Sequence, residues 1–362
     1  MLYHLLYPLR DIFFGFNIFR YITFRAAMAA FTAFIICLLF YPPLIRKLKA
    51  KRIGENVRKD ESADLYKLHQ DKQGTPTMGG VLIMVAILIS NFLWADVTNR
   101  YILISIFVFL WLGITGLIDD WMKQIKQQSK GLEIRTKLIS QIILGLIIGT
   151  FLFLSPQYST RLDIPFLKQI HFNLGIFYIF LVVLVVCGSS NAVNLTDGLD
   201  GLAIGIVIMV ALSFSILSYI SGHMKFSEYL FVPYLKGSGE LAIFCASIVG
   251  AGLGFLWFNC YPASIFMGDV GSLPLGGALG MVAVLIKKEF LLVIVGGIFV
   301  IEAISVILQV GSFRMRKKRI FKIAPLHHHL QFLGWPESKV IVRFWIVAAL
   351  LGLLTLITLK IR

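Results

Sequence analysis

The chain has 362 residues, 58% of them hydrophobic and only 15% charged, with 34 Lys and Arg against 19 Asp and Glu. Its mean hydropathy of +0.83 excludes a soluble globular domain and makes it an all-α, polytopic integral membrane protein. The excess of cations is expected to mark membrane topology, and no nucleic-acid partner is expected.

Residues 1–20 scatter charges among aromatics without a small-residue cleavage site before the first span, so they read as an interfacial amphipathic helix rather than a signal peptide. A spanning helix needs roughly 20 apolar residues. Such stretches lie near 22–42, 77–95, 101–118, 134–154, 172–190, 200–220, 238–257, 271–286, 290–311 and 341–360, about ten transmembrane helices in a single domain over 1–362. The stretch 271–286 is the weakest: it is short and carries Pro274 and several glycines, a candidate for a bent or re-entrant segment. Cys37, Cys187, Cys245 and Cys260 have no paired spacing, which leaves a disulfide framework or zinc site without support.

The loops after the first, third and ninth spans are densely basic. Strict alternation puts all three on one side, and the positive-inside rule makes that side the cytoplasm, with both termini outside (periplasmic). Arg10, Arg20 and Arg25 then fall outside, against the rule, and are outnumbered. The same parity carries the loops near 46–76, 119–137, 191–202, 258–272 and 312–340 to the cytoplasmic side. These hold every acid-rich or histidine-rich motif, whereas the opposite loops, including 155–171 and "KKE" at 287–289, are comparatively plain. A single cytoplasmic site assembled from several helix ends is expected.

Five aspartates carry that expectation: Asp119 and Asp120 in "GLIDDW", Asp197 and Asp200 in "NLTDGLDGL", and Asp269 in "FMGDVGS". Carboxylates at the bilayer boundary are costly unless they meet water or a cation. Asn194, Asp197 and Asp200 recur every three residues, which would set them along one stripe if the helix continued through them. Each motif also has a plainer reading. The first pair could be solvated at a helix end, Asp197 or Asp200 could cap the next span, and Asp269 could cap the eighth. Several carboxylates with lysines nearby suit chemistry on phosphate with Mg2+, a hard cation that takes oxygen ligands. Lys72, Lys123, Lys126, Lys130, Arg135 and Lys137 are available, most of them also serving topology. Lys72 stands out because it precedes the turn "GTPTMGG", whose hydroxyls and amides could approach an anion.

The run His327, His328 and His329 is a poor three-histidine metal site, because consecutive helical residues do not share a face. One or two of them reaching a phosphate or relaying a proton is more plausible. Glu302 is an acid inside the ninth span and so a site candidate, with a protonated glutamate bonded to a neighbouring helix as the equal alternative. Gln309 lies about one to two turns further on, nearer the cytoplasmic end.

In this order, "QGTPTMGG", "DD" after the third span, "NAVNLTDGLDGLA", "GFLWFNCYPASIFMGDVGSL" and "APLHHHLQFLGWPE" resemble the phospho-N-acetylmuramoyl-pentapeptide transferase family of the polyprenyl-phosphate sugar-1-phosphate transferases. The resemblance covers nearly the whole chain and is weakest in the first 20 residues. It implies a ten-span, often homodimeric enzyme of the bacterial cytoplasmic membrane, active in peptidoglycan synthesis. Such an enzyme moves phospho-N-acetylmuramoyl-pentapeptide from its UDP carrier onto undecaprenyl phosphate, giving lipid I and UMP, with Mg2+. Carried over by position, Asp269 is the implied magnesium ligand, and Asp119 and Asp120 belong to the catalytic centre, one of them a candidate base. His327 and His328 support the diphosphate as catalytic residues. Lys72, Thr75, Lys123, Arg135, Asn194, Asp197, Asp200, Phe266, Gln309 and His329 are implied on the substrate side, with Phe266 stacking near uracil. Arg135 stands where some relatives carry lysine, replacing a point charge by a fork.

Two rivals differ in visible ways. A sister transferase using UDP-N-acetylhexosamine usually reads His-x-His-His where this chain has "HHH". An ion-coupled transporter places its acids near the midplane of repeated halves, and neither arrangement is visible here.

Overall fold

The computed structural model describes residues 2–51, 54, 72–124, 131–163 and 171–360. Lys126, Lys130 and residues 55–71 of the first basic loop lie outside them. The chain opens with a short helix, Leu2–Leu6, and two 3-10 turns, Tyr7–Asp11 and Phe14–Arg20, instead of the single amphipathic helix expected over 1–20. Pro8, which lacks an amide proton, and Gly15, poor in helix propensity, break the repeat.

The helices that follow are α1 (Ile22–Ala50), α2 (Gly80–Trp94), α3 (Arg100–Gln124) and α4 (Ile134–Leu154). After them come the antiparallel strands β1 (Arg161–Asp163) and β2 (His171–Asn173), with Arg161 opposite Asn173. Next are α5 (Phe177–Thr196), α6 (Leu202–Gly222), a short helix Met224–Tyr229 and a 3-10 turn Ser238–Glu240, then α7 (Leu241–Asn259) and α8 (Asp269–Leu285). The chain ends with α9 (Glu289–Val295), α10 (Gly297–Arg316), α11 (Leu326–Phe332) and α12 (Glu337–Ile357). Among the described residues, eight helices are long and apolar enough to cross a membrane, and α2 and α8 are shorter apolar helices. Each of the ten apolar stretches carries a helix. The ninth is divided at Gly296, and the fifth starts later than expected because residues 171–173 pair as a strand. The chain is a multi-pass membrane protein.

The expected weak span proves to be the centre of the molecule. α8 is one continuous helix, and every residue from Val270 to Leu285 is buried, packed chiefly against α3 and α5. Lipid tails are as apolar as leucine, so helices in a bilayer associate through close packing of small residues. A Cβ at Gly276 would lie 2.4 Å from the Ser189 carbonyl oxygen of α5, and one at Gly116 of α3 would lie 2.2 Å from the Asp269 carbonyl oxygen. These glycines let α8 approach both neighbours at backbone distance. Outward-facing Ile139, Ile143 and Ile147 of α4 are exposed, as suits a helix that meets lipid.

The end of the bundle where α1 begins is tied by buried charge. Arg25 reaches Glu240 through two hydrogen bonds, at 2.9 and 2.5 Å, and Glu240 also accepts the Asp96 amide at 2.9 Å. His4 meets Asp96 at 2.9 Å, so the N-terminal segment is fastened across the same end.

Candidate active site

At the opposite end, α3 delivers Asp119 and Asp120, and α8 begins at Asp269. Gly268, at φ 76°, turns the chain into α8, and a Cβ there would meet the Asp120 carboxylate at 2.5 Å. Both the left-handed backbone and the close approach require glycine. Asp120 accepts the amides of Asp269 (3.2 Å) and Val270 (3.0 Å), which places a negative charge on the positive end of the helix dipole. The capping role considered for Asp269 therefore falls to Asp120 on another helix. Asp269 is left available for the site.

Two lysines compensate the acids. Lys123 Nζ lies 2.5 Å from Asp119 and 3.2 Å from Asp269, and Lys137 Nζ lies 3.1 Å from Asp119 and 2.5 Å from Asp269. The other oxygen of Asp119 accepts the Leu132 amide at 2.8 Å, and that of Asp269 accepts the Asn194 side-chain amide at 2.6 Å. Asp119 is fully buried, whereas the Lys123 side chain is 34% exposed, so the cluster opens to its surroundings on the lysine side. One oxygen from each of Asp119, Asp120 and Asp269 lies within 4.8 Å of the others. This all-oxygen, anionic donor set fits a hard divalent cation such as Mg2+.

The expected stripe of Asn194, Asp197 and Asp200 does not form. α5 ends at Thr196, Asp197 leaves the helix with ψ 49°, and Gly201 turns at φ 77°. The break sends each residue to a different place. Asn194 reaches Asp269 and, at 2.8 Å, Ser272. Asp200 is buried, accepts the Ala263 amide at 2.9 Å and meets Lys72 Nζ at 2.6 Å. Lys72 also meets Glu337 at 2.6 Å, and Glu337 accepts the Asp200 amide at 3.0 Å. Glu337, at the start of α12, thus joins two motifs. Sequence reasoning passed it over because an acid after proline at a helix start reads as an ordinary first-turn residue.

The turn "GTPTMGG" is laced to the segment before Asp269. The Phe266 amide donates to the Pro76 carbonyl at 2.7 Å, and the amides of Gly79 and Gly80 donate to the carbonyls of Phe266 and Met267, each at 2.8 Å. Phe266 is half-buried, and the Thr75 amide closes the turn back to the Lys72 carbonyl at 3.1 Å.

On α11, His327 and His328 lie side by side, ring centroids 4.2 Å apart, and His329 points elsewhere, against Phe321. His327 is buried against Glu302, and His328 Nδ1 contacts Gln331 at 2.9 Å. His329 Nδ1 accepts the Lys322 amide at 3.2 Å. A Cβ at Gly198 would lie 2.4 Å from His327 Nε2 and 3.2 Å from His328 Nε2, so these two face the turn that carries Asp197. Gln309 commits its amide to the backbone of Ile320 and Phe321, bracing the chain before α11. Arg135 is exposed in the first turn of α4, two residues from Lys137. Residues two apart do not share a helix face, so of these two only Lys137 joins Lys123 at the aspartates. Sequence reading had named Lys137 among the available cations without singling it out.

Residues 100–287 match the glycosyl transferase family 4 model, and residues 72–84 match the phospho-N-acetylmuramoyl-pentapeptide-transferase signature 1. Proteins named phospho-N-acetylmuramoyl-pentapeptide-transferase from Citrifermentans bemidjiense and Pelobacter propionicus are each 52% identical over 362 residues, and one from Desulforapulum autotrophicum is 51% identical over 363. In each case the whole of both chains is covered. The matched length spans the elements that carry the aspartates, the lysines and the histidine run, and this chain belongs to the phospho-N-acetylmuramoyl-pentapeptide transferase family.

Proposed function

We propose that this chain transfers phospho-N-acetylmuramoyl-pentapeptide from its UDP carrier to undecaprenyl phosphate, releasing UMP and forming lipid I. The reaction takes place at the cytoplasmic face of a bacterial inner membrane. The observation that carries this reading is the convergence of Asp119, Asp120 and Asp269 with Lys123 and Lys137 at the end of the bundle to which the basic loops also lead. Asp119, Asp120 and Asp269 would hold Mg2+, which when bound supplies positive charge against the diphosphate of the substrate.

The chain's own residues supply the rest. Lys123 and Lys137 present ammonium groups where phosphate charge must be held, and Asn194 fixes the Asp269 carboxylate. The phosphate of the lipid acceptor is largely ionised at neutral pH, so little base catalysis is required, and positioning with charge stabilisation does most of the work. An oxygen of that phosphate attacks the sugar-linked phosphorus in line, and UMP leaves. Glu337 and Lys72 hold Asp200 beside the "NLTDGLDGL" turn, which would line the nucleotide-sugar cleft together with His327 and His328.

The test is UMP release by the purified protein given UDP-N-acetylmuramoyl-pentapeptide and undecaprenyl phosphate, with and without Mg2+, beside Asp269→Ala. Release that needs lipid and magnesium and disappears in the variant is expected. Release only from UDP-N-acetylhexosamine would move the chain to the sister activity. With a chiral phosphorus, inversion is expected, and retention would instead indicate an aspartyl-phosphate intermediate.

A further inference from the structure

The far end of α8 carries a second polar site. The helix runs 17 residues from Asp269, about 25 Å at 1.5 Å per residue, and the chain then turns through Lys287 at φ 57°. A cavity of about 290 Å³ opens here between the start of α3, the chain leaving α4, the segment before α7 and the end of α8. Its polar lining is Tyr101, Gln157, Tyr158, Ser159, Arg161 and Lys287. Both charged groups among the described lining residues are cations, and the tyrosine hydroxyls and the glutamine amide add neutral donors.

Lys287 is held firmly. Only 7% exposed, it donates to Tyr178 Oη at 2.5 Å with its Nζ 3.8 Å from the ring centroid, and Tyr178 in turn donates to buried Glu289 at 2.7 Å. Arg161 is exposed at the mouth, on β1. Arg100 donates to Gln157 at 2.9 Å and adds a third cation to the same end of the bundle. Two cationic residues in the lining, one buried and one carrying a guanidinium fork at the surface, together with the neutral donors make a phosphate-type recognition set.

We infer that this cavity binds a phosphate group, that of an anionic phospholipid headgroup at the membrane surface remote from the aspartates. The elements that frame it are the ends of helices that cross the bilayer, so it lies at headgroup depth. Its volume is at the lower end of ligand pockets, which start at roughly 300 Å³. That suits a headgroup and is too small for a nucleotide-linked sugar and its peptide.

Native mass spectrometry of the full chain in neutral detergent, titrated with phosphatidylglycerol or phosphatidylcholine, tests this directly. The parent is expected to retain phosphatidylglycerol preferentially, and Arg161→Gln is expected to reduce that preference about fivefold. Lys287→Gln should act in the same direction, and the exposed Arg161 variant keeps the test valid if the buried one misfolds. Arg20→Gln removes one exposed charge elsewhere and should change nothing. Equal retention by the parent, Arg161→Gln and Arg20→Gln would overturn the site and leave only a net-charge effect. Added inorganic phosphate distinguishes the source: displacement of the lipid in the parent alone identifies a site for free phosphate as well, and resistance identifies the headgroup.

Discussion

Glu302 and His327 form a fully buried pair between α10 and α11: His327 Nδ1 lies 3.2 Å from one Glu302 oxygen, and the His327 amide donates to the other at 3.1 Å. This intramembrane acid is bonded to a neighbouring helix, and the partner is a histidine facing the Asp197 turn, so the two readings of Glu302 meet in one pair. Glu302→Gln keeps an acceptor for the amide but replaces the oxygen that faces the imidazole with an amide nitrogen. The transfer rate is expected to fall about 10- to 100-fold, as for other groups that orient a functional histidine, with Glu302→Ala worse. Steady-state kcat and KM beside thermal unfolding check this, and an unchanged kcat would remove Glu302 from the site.

Lys137 and Arg135 should behave oppositely. Lys137 bridges Asp119 and Asp269, so Lys137→Met is expected to lower the transfer rate by about 10²-fold or more. Arg135 is exposed, and Arg135→Met should stay near the parent rate. Measuring both variants under one set of assay conditions decides the point.

Gly116→Ala puts a Cβ 2.2 Å from the Asp269 carbonyl. The neighbouring atom is backbone, so α3 and α8 must separate, an overpacking cost of about 1–3 kcal/mol accompanied by loss of activity. Gly311 of α10 has nothing within 4 Å of its Cβ position. Gly311→Ala should be neutral or stabilise the helix by up to about 1 kcal/mol. Unfolding midpoints of the two variants give the comparison.

Asp96 lies between α2 and α3, outside the spans. Burial raises its carboxyl, but hydrogen bonds from Thr98 and His4 outweigh burial and hold it below the ordinary carboxylate value. A depressed folded pKa stabilises the fold above the unfolded value, about 3.9, and that contribution is lost as pH falls through the folded value. The melting temperature of the parent should therefore exceed that of Asp96→Asn at neutral pH, with the gap narrowing below about pH 4. A constant gap across that range would show that the charge at Asp96 is immaterial.

Several features were legible because they are local. The ten apolar stretches each hold a helix, since hydropathy over roughly 20 residues records what crosses a bilayer. The three histidines do not share one face, as the 100° step between successive helical residues implies, although His327 and His328 still bring their rings to within 4.2 Å. The Asn194, Asp197 and Asp200 stripe was misread because its helix ends at Thr196, where the glycine-rich turn takes over. The spacing was correct, but a periodicity argument presumes an unbroken helix.

By itself the sequence determined the membrane class, the order of spans and the gathering of acids at one end of them. These depend on composition and on alternation along the chain. Tertiary packing alone decided that Asp120 caps α8, that Lys137 rather than Arg135 meets the aspartates, that Glu337 joins Lys72 to Asp200, and that Glu302 stands behind His327. Each of these pairs is distant in sequence or differs only in helix rotation. Rotation and approach are set by where glycines such as Gly116 and Gly276 let backbones touch, and that information belongs to two helices at once.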